Sequence, residues 1–405
     1  MKLLFKRALA VLFTTSMVFA ACGGGGGGGG GDSSNGGAKG DFEITTGIYV
    51  AGGYQSTDAA GSKSSAAMKS SSGTSARDVA CLWRITETAT TLKVLPGNAV
   101  ANAMVLYKGT IYVAGALVDA STGVKSACYW TISKDGTVAR NDLDGVEATS
   151  VTVDMVTDTG IIYFGGYYLY DTAVKAACWW QLGGGTAVRY DLMDDDRELS
   201  YGTDLKIGDG VMYASGVYSF SGSAAAAMWR QIDESSGMRR RLTDDYFGDE
   251  GMAIYVTDPG DADRECVYMA GYRNSSGLRG SYWKWNIKSA AVTRTDLNAA
   301  GDTNASKAYS IFVYGGTVYT AGTYNGYPCF WTGATRTDLD TYAGEVRYIM
   351  VRDEGILAAG SYRNGGTAIA CFWAANSEMT VRKDLTSASD TNIINAYARS
   401  LIGVE

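Results

Sequence analysis

Apolar and polar residues alternate in short runs along most of the chain, with no stretch at the 3.6-residue spacing of an amphipathic helix. Between residues 310 and 339 the runs are Ser310–Tyr314, Thr317–Tyr324, Pro328–Thr332 and Ala334–Leu339. Gly315-Gly316, Asn325-Gly326 and Gly333 separate them. Alternation of period two punctuated by such pairs predicts antiparallel strands joined by tight hairpins.

The same group of runs recurs. A first segment, apolar-Tyr-x-small-Gly, reads IYVAG from Ile48, IYVAG from Ile111, IYFGG from Ile162, MYASG from Met212, VYMAG from Val267, VYTAG from Val318 and ILAAG from Ile356. A second ends in tryptophan at Trp83, Trp130, Trp180, Trp229, Trp283, Trp331 and Trp373. A third, of the RTDL type, closes on Leu143, Leu192, Leu242, Leu297, Leu339 and Leu385; the first unit has only a degenerate version near Thr91 to Leu95. The tyrosines are spaced by 63, 51, 50, 55 and 51 residues, and Leu357 follows 38 later. A period near 50 with about four short strands per unit is one propeller blade.

The chain ends extend the pattern. The first motif begins at Ile48, where the second strand of a blade is due, and Ala398–Val404 resembles first strands such as Ala308–Tyr314. The prediction is an all-β, seven-bladed β-propeller of four-stranded antiparallel blades over residues 41–405, closed by the C-terminal strand pairing into the first blade. Closure removes the open sheet edge that a solenoid must cap, and a monomer is expected. The small residues of the first segment, such as Ala321 and Gly322, are expected where backbones crowd the axis, and the tryptophans where blades splay.

The motifs partly resemble kelch repeats, without their order or spacing. Over residues 48–404 the VYVAG…ACYW…TDL units more closely resemble exported lipoproteins of spirochaetes and Bacteroidetes. That resemblance implies fold and location only, since no activity is established for the family.

The N-terminus carries chemistry of its own. Lys2, Lys6 and Arg7 precede an apolar stretch from Ala8 to Ala21, too short to span a bilayer comfortably. Phe19-Ala20-Ala21-Cys22 resembles the lipobox of bacterial lipoproteins, which implies a signal peptide at 1–21 and acylation of Cys22. Residues 22–40 are then a tether, with nine glycines from Gly23 to Gly31, unable to bury enough apolar surface to order itself. As a coil it reaches roughly 20–25 Å. The expected location is exported and lipid-anchored, at the outer membrane, the cell surface or its periplasmic side. Loss of 1–21 leaves 32 basic against 42 acidic residues, net −10, which favours no nucleic-acid partner.

Histidine is absent, which excludes His-based triads, metal sites and proton shuttles. Cys81, Cys128, Cys178, Cys329 and Cys371 share one repeat position. Equivalent positions on neighbouring blades lie beyond disulfide reach, so these are expected to be buried free thiols, and Cys266 a lone one. Acidic clusters occur at Asp194–Glu198, around Asp245 and Asp249-Glu250, and between Asp258 and Glu265. None completes an EF-hand loop, and neither a metal site nor a cofactor is expected. Tyr54, Tyr168, Tyr218, Tyr324 and Tyr362 stand two residues after the motif glycine, with Arg273 and Leu117 in the remaining units. With Asp195 and Asp245 in the inter-blade loops, these tyrosines and Arg273 are the candidate ligand-binding residues; blade-to-blade packing is their competing role. Function is expected to be non-enzymatic binding of a protein or glycan through one propeller face. A periplasmic envelope-assembly scaffold is the alternative, and a carboxylate-based carbohydrate-active enzyme a weaker one.

Overall fold

The computed structural model describes residues 42–404 except 57–76, 87, 154–159, 171–173, 193–199, 209, 221–222, 232–236, 243–247, 258–265, 275–276, 377–378 and 387–392. Residues 1–40, Asp195 and Asp245 therefore lie outside the described residues.

The described chain is all β, with no helix. Five sheets hold four antiparallel strands each, in chain order from the inner to the outer strand. A sixth holds eight: Gly344–Asp384 supplies four, and Ile393–Val404, Gly47–Ser56, Arg77–Ile85 and Thr90–Val94 supply the others. A single parallel bridge, Ala368 to Asn395, joins the two sets. Ile393–Val404 pairs antiparallel with Gly47–Ser56 along its length. This is a β-propeller repeat fold.

Each repeated residue has one job. The tryptophans are buried, and the indoles of Trp130, Trp180 and Trp373 donate to Pro96 O, Asp144 O and Asp340 Oδ2, all one residue past a closing leucine. The closing leucine's N–H donates to the third strand in every unit, including Leu95 to Ala80 O in the degenerate first one. The six cysteines among the described residues, Cys266 included, are buried and form no disulfide.

The inner strands carry the feature that shapes the axis. All seven have a β-bulge at the same place, at Asn102, Thr149, Thr203, Met252, Tyr309, Arg347 and Arg399. The bulge folds the backbone against the motif glycine of the next strand. A Cβ at Gly52, Gly115, Gly166, Gly216, Gly271, Gly322 or Gly360 would collide with the carbonyl of the residue two before the bulge. Bulge side chains also rivet units together: Asn102 Nδ2 donates to Ala148 O at 2.9 Å, Thr149 Oγ1 to Gly202 O at 3.0 Å and Thr203 Oγ1 to Gly251 O at 2.8 Å.

These links hold the inner strands in one orientation, so the sheets share two faces. The upper face carries the connections from second to third strand and from one unit to the next. The lower carries the short hairpins within strand pairs one–two and three–four. Residues 42–46 lie on the lower face: Ile44 N donates to Lys134 O at 2.9 Å, and Phe42 packs beside Tyr49.

Candidate functional site

The sequence-predicted tyrosines are bound into the blades. The Tyr168 hydroxyl donates to Asp191 Oδ2 at 2.9 Å, and the Arg189 guanidinium lies 3.9 Å from the ring centre. Tyr362 repeats this with Asp384 at 2.9 Å and Arg382 at 3.7 Å. Burial and the bond to Asp384 push the Tyr362 phenol up to about 12. The Tyr324 hydroxyl donates to Asp302 at 2.7 Å, with Arg336 at 3.6 Å over its ring. Tyr218 is buried, and Tyr54 packs on the core around Val50 and Trp83. Arg273 stands 3.7 Å from the fully buried Asp249, so unit five replaces a Tyr–Asp pair with an Arg–Asp pair. The rings of Tyr168, Tyr218 and Tyr362 are thus packed within blades. For Tyr168 and Tyr362 the Arg and Asp both come from the RTDL-type segment, so the aromatic–cation contact and the hydrogen bond tie strand two to strand four; for Tyr324 only the Arg does, and Asp302 belongs to the connection entering unit six. Arg189 and Arg382 also reach Asp144 at 2.6 Å and Asp340 at 2.5 Å, pinning the upper connections.

A different set of residues converges at the upper mouth of the axis. Two residues before each bulge stand Val100, Glu147, Tyr201, Glu250, Lys307, Glu345 and Tyr397. The colliding carbonyls belong to these residues, so the motif glycines are what lets them crowd the axis. Glu147 accepts from Lys125 at 2.8 Å, Asn102 at 3.0 Å and Tyr167 at 2.9 Å. Burial opposes its ionisation, but Lys125 and these donors outweigh that and hold its carboxyl below the ordinary value. Glu250 accepts from the hydroxyls of Tyr201 and Tyr272. Lys175 sits 4.7 Å over Tyr167 and 5.5 Å over Tyr201, and Lys307 4.3 Å over Tyr272. Lys125, Lys175 and Lys307 each reach from their own unit onto a neighbour.

Below this ring lie the bulge side chains. Arg347 grips Glu345 with two bonds of 2.8 Å and stacks 4.0 Å over Tyr309. Burial raises the Tyr309 phenol to about 12, against the opposing charge of Arg347. Deeper still, Lys206 pairs with Asp204 at 3.2 Å, and Tyr348 of unit seven feels both charges. Burial disfavours the Lys206 ammonium, yet Asp204 and Tyr348 more than offset it and raise its pKa. A third of the Lys206 side chain is open to solvent, so the axis at this depth is not sealed.

Around the mouth, the upper connections expose Val124, Leu169, Tyr170, Tyr327 and Tyr342. A small, mostly apolar cleft lined by Ile356, Leu357, Ala375, Met379 and Val381, with Glu354 and Asn376 at its edge, is on the lower face. No group of three or more carboxylates or thiols with metal-binding geometry occurs among the described residues.

Sequence reasoning found the strand-two tyrosines because they repeat, and missed the mouth because it does not. Of the flagged acids among the described residues, Asp249 and Glu250, Glu250 stands in the mouth ring. The usable signal was the column of unlike residues on the inner strands, eleven positions before the second-strand motif for Val100, Tyr201, Lys307 and Glu345 and fifteen and seventeen before it for Glu147 and Glu250, on strands otherwise alike.

No protein-family profile and no curated protein matches the chain. Its fold is similar to that of a "putative 6-phosphogluconolactonase" from Bacteroides uniformis, at 10% identity and TM-score 0.51 over 89% of this chain and 99% of that one. Fainter likenesses are to the β-propeller domain of the Trilobed protease from Pyrococcus furiosus, with 11% identity, TM-score 0.45 and coverage of 78% and 92%. TolB from Acinetobacter baumannii gives 12% identity, TM-score 0.42 and coverage of 87% and 83%.

Proposed function

We propose that the chain is a membrane-tethered binding lipoprotein, anchored through Cys22, that recognises a protein or glycan on the upper face of a closed seven-bladed propeller and performs no catalysis. Closure is supported by Ile393–Val404 packing on Gly344–Arg352 on one side and Ala99–Tyr107 on the other, while pairing with Gly47–Ser56.

The observation that carries the binding reading is where the repeat stops repeating. Positions with an architectural duty hold one residue type around the molecule: glycine at the bulge contact, tryptophan in the splay, leucine at the close. The mouth positions hold one Val, three Glu, two Tyr and one Lys in the same backbone setting. Equal geometry with unlike chemistry is what a non-symmetric ligand selects. The exposed apolar residues on the same face add the desolvated contact area that recognition needs.

The test places a photo-crosslinking residue at Tyr327 on the upper face or at Gly333 on the lower face of the same unit, in the producing cells. Adducts from position 327 alone are expected. Adducts from both positions alike, or from 333 alone, overturn the assignment of the face.

A further inference from the structure

The two arginines at neighbouring bulges are not equivalent. Arg347 spends its fork on Glu345. Arg399, next around the axis in unit one, donates Nη1 to the neutral amide oxygen of Asn102 at 2.5 Å. No carboxylate stands within ion-pair distance of it among the described residues. Glu147 and Glu345 are near enough to be felt, but Lys125 and Arg347 already hold them. Burial, and then the charge of Arg347, make the Arg399 cation less favourable than a free one. A guanidinium carries five donors in a planar fork, and this one, half-buried on the axis and bonded to a neutral amide oxygen, keeps donors free for an anion. The chain as a whole is net −7, so this positive site runs against the overall balance.

We propose that Arg399, flanked by Arg347, anchors a carboxylated sugar whose acid group enters the axial channel from the upper face. This rests on the reading of that face as a binding surface and names its ligand class. A planar carboxylate matches the free part of the fork. The surrounding mouth favours a sugar over a peptide C-terminus. Glu250, Lys307 and Tyr397 present acceptors and donors at short intervals, as a ring of hydroxyls requires. A peptide end needs an apolar pocket for its last side chain, and Val100 is the one aliphatic residue among the seven mouth positions.

Calorimetric titration of the lipidated full-length protein in detergent tests this, with tri-galacturonate, galactotriose, and one tripeptide as free acid and as amide. Tri-galacturonate is expected to bind, at least about tenfold more tightly than galactotriose, and more weakly as salt rises. Arg399→Met should lose about tenfold or more in affinity without lowering Tm, because it removes a charge that forms no ion pair. Arg399→Lys keeps the charge without the fork and should fall between. Equal binding of the neutral trimer overturns the proposal. So does a lowered Tm with affinity intact in Arg399→Met, which makes the guanidinium structural. Preference for the free-acid peptide over every saccharide transfers the site to a chain end and overturns the sugar. Silence from all four probes overturns the ligand class, while upper-face adducts at position 327 would still stand for the binding reading.

Discussion

Cys128 and Glu147 are both enclosed by the blades, with opposite consequences. The Cys128 thiol has only the weak partners of a β-ladder around it, and burial pushes it up to about 12. Cys81, Cys178 and Cys371 are driven further the same way by burial. A thiol that does not ionise does not attack, so Ellman's reagent should find the six body cysteines silent in the native protein and all six reactive in guanidinium. Rapid native reaction of any one would show that its blade opens. Glu147 is instead held ionised by Lys125, Asn102 and Tyr167. Its carboxyl pKa is lower folded than unfolded, so it contributes stability above the unfolded value, near 4.5, and loses it as pH falls through the folded value. Glu147→Gln should cost about 1–3 kcal/mol at pH 7 and little at pH 3, so that the two unfolding curves converge in acid. A constant gap across that range would place the cost in packing rather than charge.

At the scale of the strand, the bulge and the motif glycine form one device. The glycine has ordinary extended backbone, so its need is space and not dihedral freedom. The atom that a Cβ would strike is a backbone carbonyl, Lys307 O in the case of Gly322, which cannot rotate away. Gly322→Ala should therefore cost at least about 1–3 kcal/mol, as overpacking does, and should also dislodge Lys307 from Tyr272. Gly316→Ala, in an open hairpin with φ 75°, should cost about 1 kcal/mol through backbone strain alone. Chemical denaturation of both variants measures the difference, and equal costs would remove the bulge from the explanation. This device also marks how far the sequence could be read. Glycine, tryptophan and leucine repeat, so strands, their order and the buried faces follow from alternation and spacing. Leu95 was legible even in the degenerate unit. A bulge adds one residue to a strand without any signature residue, since Asn, Thr, Met, Tyr and Arg all occupy it. The mouth was hidden for that reason. Repetition in a propeller marks what the fold needs, and the repeated tyrosines take part in Tyr–Asp–Arg clasps within the blades.

At the scale of the molecule, the position of the chain ends gives the proposed anchor a direction. Residues 42–46 are bonded to the lower face through Lys134 and Arg84, whose Nη1 donates to Glu43 O at 2.9 Å. The inner strand Ile393–Val404 also ends there, beside Gly47. If Cys22 is acylated, a tether of 18 residues leaves from the face opposite the mouth. Its reach of roughly 20–25 Å lets the body tilt, but turning the mouth to the bilayer would require the tether to pass around the flank of the propeller. Unit six offers a matched pair of reporters. Gly315-Gly316 and Asn325-Gly326 are tight hairpins with open space around the glycines, one on each face of the same blade, and insertion at such tips is well tolerated. A fluorescent peptide tag between 315 and 316 should be quenched by spin-labelled lipid in proteoliposomes more strongly than the same tag between 325 and 326. The difference should vanish when the lipid anchor is removed by Cys22→Ser. Equal quenching with the anchor intact would mean that the propeller lies on its side, so that the mouth opens along the membrane surface and not away from it.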